Sequence, residues 1–212
     1  MIKLDKELQQ LQQTVVKMSQ TIITMHEKIV EVLNKRDKEK ELEIIQLDAF
    51  VNHLEEEIND QAISALALLS PVASDLRKVI ANIKIATELE RMGDYAKNIA
   101  IYLIKHDEID EKVIEYSILM EKEFIYMFNK TMDAYQQADV EAAFEIVDLD
   151  KNIDTLFLEL KQYLISENDE TLYLRLFGIS QMLRNIERAG DHAINICEHI
   201  IYMIKGRHYD FG

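Results

Sequence analysis

The strings "LERMGDYAKNI" at 89–99 and "IERAGDHAINI" at 186–196 share Glu, Arg, Gly, Asp, Ala, Asn and Ile at seven of eleven aligned positions, 97 residues apart. A weaker match at an offset of 102 pairs "LDAFVNHLEEEI" at 47–58 with "LDKNIDTLFLEL" at 149–160. It aligns Asp48 with Asp150, Asn52 with Asp154 and Glu57 with Glu159. Two matches at nearly one offset in 212 residues mean that a unit of about half the chain is used twice. Whatever the unit folds into, the molecule must accommodate two of it.

The unit reads as helical. Leu4, Leu8, Leu11, Val15, Met18, Ile22, Met25, Ile29 and Val32 recur at spacings of four and three, the mark of an amphipathic helix with a coiled-coil-like seam. One proline and five glycines leave little material for hairpin turns. The later helices are expected over about 37–68, 71–106, 110–136, 140–165 and 171–205, with Ser70 as N-cap and Pro71 in the first turn of the third. The fold class is therefore all-α: six long helices as two tandem antiparallel three-helix bundles, 1–107 and 108–212.

The charge balance narrows the partners. A formal net charge of −15 opposes binding to nucleic acid or anionic head groups, whose affinity comes largely from Lys and Arg. No apolar run approaches the roughly 20 residues that span a bilayer, so no direct membrane insertion is expected. The lone Cys197 cannot pair internally, and the charged start "MIKLDKELQQ" lacks a signal-peptide core, so a cytoplasmic location is expected.

A patterned subset of the acids stands out. Residues four apart share a helix face, so Glu90 lines up with Asp94, and Glu187 with Asp191; Asn98 and Asn195 extend the two lines. In an antiparallel helix pair, residues equidistant from the turn lie side by side. About position 71, Asp48 mirrors Asp94 and Asn52 mirrors Glu90. About 170.5, within "SENDET", Asp150 mirrors Asp191 and Asp154 mirrors Glu187. Such clusters repel themselves unless neutralised, by Arg91, Arg188 or nearby lysines, or by hard or borderline cations that take oxygen ligands.

The expected metal residues are thus Asp48, Asn52, Glu90 and Asp94 in one cluster and Asp150, Asp154, Glu187 and Asp191 in the other. The second carries one more negative charge and should bind more tightly. Gly93 and Gly190 cost about 1 kcal/mol each in a helix interior, which suggests close approach of another helix or a ligand. His192, beside Asp191, is read as solvated or hydrogen-bonded rather than as a ligand to a softer metal. No histidine follows a glutamate at the di-iron bundle spacing, and no nucleophile, P-loop or Cys/His zinc framework is present. No catalytic residue is assigned.

The duplicated bundle, "LSPVASDLRKVIANIKIATELERMGDYAKNIA" and "MLRNIERAGDHAINICEHI" together resemble the PhoU family of phosphate-transport regulators over nearly the whole chain. The family's acidic pair spaced by four matches Glu90 with Asp94, Asp150 with Asp154, and Glu187 with Asp191, while Asn52 departs from it. The resemblance implies spectrin-like bundles and multinuclear metal clusters on their surface, with iron, zinc, manganese and magnesium all open. It also implies a cytoplasmic homodimer that is not an enzyme. Such a protein would link the ATP-binding subunit of a phosphate ABC transporter to a phosphate sensor histidine kinase, dampening uptake and the phosphate-starvation response. Two other readings use the same residues: an accessory of an ion-coupled phosphate transporter, and a phosphoesterase whose metal pair activates water.

Overall fold

The computed structural model describes residues 2–166 and 170–211. Its helices are α1 (Ile2–Asn34), α2 (Lys38–Leu69), α3 (Ser74–Lys105), α4 (Glu111–Gln137), α5 (Val140–Ile146), α6 (Asp150–Ser166) and α7 (Glu170–Lys205). A single 3₁₀ turn, Val147–Leu149, joins α5 to α6. The six expected helices are present, and the fifth is built from α5, this turn and α6. No glycine or proline marks the break in the sequence. It leaves Asp150 in the first turn of a new helix.

Two of the long helices, α2 and α4, start where an aspartate side chain satisfies orphan amides. Asp37 accepts from the amides of Glu39 and Lys40, and Asp110 from those of Lys112 and Val113. The turn at Pro71 differs in detail from the expectation. Ser70 does not cap α3; it closes α2 in the left-handed conformation, φ 46° and ψ 55°, and α3 begins only at Ser74. Proline disfavours right-handed helical geometry in the residue before it, so α2 must end there. The second expected turn, in "SENDET", falls largely on 167–169, outside the described residues.

The α1 stripe is buried as its spacing requires: Leu11, Val15, Met18, Ile22, Met25, Ile29 and Val32 are each at most 1% exposed. Burying one such side chain is worth about 1.5–3 kcal/mol. The helices α1, α2 and α3 pack on one another, and α4 packs on α6 and α7. The two groups meet along α3 with α7 and α1 with α4, so one apolar core runs through both. A buried polar pair lies in that junction: His26 Nδ1 is 2.7 Å from Glu121 Oε2, with the ring against Phe124. None of the described helices is long and apolar enough to cross a membrane.

Candidate metal centre

The hairpin of α2 and α3 brings the first acidic residues together as the mirror rule requires. Thr87 Oγ1 donates to Glu55 Oε1 at 3.3 Å, a pair equidistant from position 71. Between Asp48 and Asp94 stands a residue that sequence reasoning passed over. Lys97 Nζ donates to Asp48 Oδ2 at 2.9 Å and to Asp94 Oδ1 at 2.5 Å. Arg91 adds weaker pairs, 3.6 Å from Glu90 and 3.9 Å from Asp94. Asn52 is exposed and makes no hydrogen bond among the described residues. The first cluster is therefore largely neutralised by the chain's own cations, although the buried Asp48 Oδ1 keeps no partner. Burial first, and then Asp94, push the Glu90 carboxyl above its ordinary value.

The second cluster has no such lysine. At the offset of 97, Lys97 corresponds to Ile194. No Lys or Arg forms an ion pair with Asp150, Asp154, Glu187 or Asp191 among the described residues. Asp150 is 8% exposed, and its Oδ1 is buried without a hydrogen-bond partner. Burial, then the charges of Asp154, Asp191 and Glu187, push its carboxyl up to about 7. These mutual fields place all four acids on one patch. Burial leads and neighbouring acids add to raised values at Glu187 and Asp191 as well, while Arg184 and Arg188 act on Glu187, and His192 and Arg188 on Asp191, only through space.

The two glycines mark where the helices close on these sites. A Cβ on Gly190 would overlap Asp150 Oδ1 and lie 3.2 Å from Ile153; a Cβ on Gly93 would lie 3.1 Å from Val51. Val51 and Ile153 correspond at the offset of 102, so the close approach is itself duplicated. Only in the second half does the glycine's vacant side also hold a carboxylate.

An orphaned buried carboxylate oxygen among three further acids, with no protein cation paired to any of them, fits a hard or borderline cation. Asp150, Asp154, Glu187 and Asp191 would hold it, and binding would keep Asp150 ionised. Among the described residues, no three acid, imidazole or thiol side chains stand ready-made around one point. The exposed side chains of Asp154 and Asp191 would have to turn in to complete the site.

The asparagines take no part in either cluster's bonding. Asn195 Nδ2 donates to Glu88 Oε2 at 3.0 Å, and Asn98 lines a cavity between α3 and α7. Glu88 also meets His192 Nδ1 at 2.5 Å and His199 Nε2 at 3.5 Å, while Tyr95 Oη pairs with the other His192 nitrogen. Burial works to raise the Glu88 carboxyl, but these hydrogen bonds outweigh it and hold it well below the usual range. His192 is thus a hydrogen-bonded residue of the seam, as expected. The spacing of seven between His192 and His199 was its only sequence signal.

The model of the PhoU domain matches residues 15–103 and 118–200. A protein of Clostridium acetobutylicum described as a phosphate-specific transport system accessory protein PhoU homolog is 27% identical, covering 98% of this chain and 97% of its own. A Rhizobium meliloti protein of the same description is 31% identical over 95% and 87%. The crystal structure of PhoU from Pseudomonas aeruginosa superposes with a TM-score of 0.88 at 26% identity, covering 96% of this chain and 99% of that one. These descriptions name accessory proteins, not enzymes.

Proposed function

Because this chain belongs to the PhoU family of phosphate-transport accessory proteins, we propose that it is a metal-binding adaptor that restrains phosphate uptake and the phosphate-starvation response. It acts in the cytoplasm, as a homodimer, by contacting the ATP-binding subunit of a phosphate ABC transporter and a sensor histidine kinase. Its output is protein contact, not turnover.

The observation that carries the metal part is the buried, unpartnered Asp150 carboxylate among Asp154, Glu187 and Asp191. A cation there would replace net repulsion with a neutral, ordered surface, and an interface built on it would form only in the loaded protein. The family names carry the phosphate part.

Chromosomal replacement by Asp150→Asn with Asp191→Asn tests both parts. Under plentiful phosphate, the variant strain should transcribe starvation genes and take up phosphate as a strain lacking the protein does. Tagged wild-type protein should recover the transporter subunit and the kinase, and the variant should recover less of each. Wild-type repression by the variant would remove the metal from the mechanism. Failure of the wild type to recover either partner would remove the adaptor role.

A further inference from the structure

A cavity of about 660 Å³ opens on the seam where α3 and α7 pack. Among the described residues, three lysine or arginine side chains line it: Lys105 from α3, and Arg184 and Arg188 from α7. Asn98, Gln181 and Asn185 add amide donors. Among the described residues none that lines it is an acid, although Asp and Glu outnumber Lys and Arg by 39 to 24 in the chain. All three cations are exposed, and none forms an ion pair or hydrogen bond among the described residues. Arg184 acts on Glu187, and Arg188 on Glu187 and Asp191, only through space. Three uncommitted cations around one cavity, on a molecule of net charge −15, are a receptor for an anion.

The size and the far end of the cavity say which anion. Orthophosphate would fill a small part of a space in the range that holds drug-sized ligands. Phe177, 75% exposed, lines the same cavity. It stands on one face of α7 with Gln181, Arg184 and Arg188, at steps of four, seven and eleven residues. Arg184 is therefore about 10 Å and Arg188 about 16 Å along the axis from the ring. That is the span of a nucleoside polyphosphate, with a planar base at one end and phosphates at the other.

We propose that this cavity binds a nucleotide, its base stacked on Phe177 and its phosphates held by Arg184 and Arg188, with Lys105 on the facing helix level with Phe177. The proposal does not rest on the metal reading. Calorimetric titration of the full chain in EDTA keeps the two apart, because no metal can bridge phosphates to the acid clusters. ATP should bind saturably, inorganic tripolyphosphate more weakly, and adenosine and orthophosphate not measurably below millimolar concentrations. Arg184→Gln with Arg188→Gln should weaken ATP about tenfold or more. Phe177→Ala should weaken ATP several-fold and leave tripolyphosphate unchanged. The substituted side chains are exposed, so the variants should melt as the wild type does. No saturable ATP binding, or binding that ignores the two arginines, overturns the site. Tripolyphosphate or orthophosphate binding as tightly as ATP overturns its assignment to a nucleotide.

Discussion

Asp150 is the residue on which most depends. Its carboxyl titrates near 7 in the folded chain against an ordinary value of 3.8. The folded state therefore holds this proton more tightly than the unfolded one. The contribution to stability is full below about pH 4, fades as pH rises towards 7, and is absent above that. Asp150→Asn keeps the shape and removes the charge, so in EDTA it should flatten this decline, and urea midpoints from pH 4 to 8 would show it. A decline as steep in the variant as in the wild type would place its cause elsewhere. Lys97 plays the opposite part. Lys97→Ala leaves Asp48 buried without its donor and should cost about 1–3 kcal/mol in metal-free protein. Added manganese should restore part of that loss, measured as a rise in melting temperature. Manganese without effect on the variant would mean that the first cluster takes no metal even when its lysine is gone.

At the scale of helices, the two glycines separate packing from site. Each replacement by Ala gains about 1 kcal/mol of helix propensity. At Gly93 the new methyl presses only on Val51, so the gain and the strain should nearly cancel. At Gly190 it enters the space of Asp150, so Gly190→Ala should destabilise the fold and weaken cation binding, while Gly93→Ala does neither. Equal effects in urea denaturation and metal titration would dissolve the distinction. The helices themselves were legible because apolar spacing persists over many turns, and the mirror rule placed Asp48 beside Asp94 because α2 and α3 rise equally from one turn. Lys97 escaped that reasoning. A lysine three residues after an acid is common on helix faces, and only the inward approach of α2 directs it onto Asp48. The 3₁₀ turn before Asp150 has no local signature at all, since its residues are ordinary helix formers.

At the scale of the whole molecule, duplication explains likeness, and divergence explains the difference in use. Both halves place a glycine against a branched aliphatic residue three positions after an aspartate with an orphaned oxygen. The first half then fills its cluster with Lys97, while the second has Ile194 at that position and leaves four acids on one patch without a paired lysine. Counting charges on the sequence ranked the second cluster higher because of Asn52; the lysine is the stronger reason. The junction between the halves was not legible in advance. Its polar pairs, His26 with Glu121 and Glu88 with His192 and His199, join residues about 95 or more positions apart, beyond any local pattern. The second cluster, not the first, should be the stronger cation site, and anomalous diffraction from crystals of untagged protein equilibrated with manganese would decide it. Peaks should appear among Asp150, Asp154, Glu187 and Asp191, at higher occupancy than any beside Lys97. Peaks at the first cluster alone, or at neither, would contradict it.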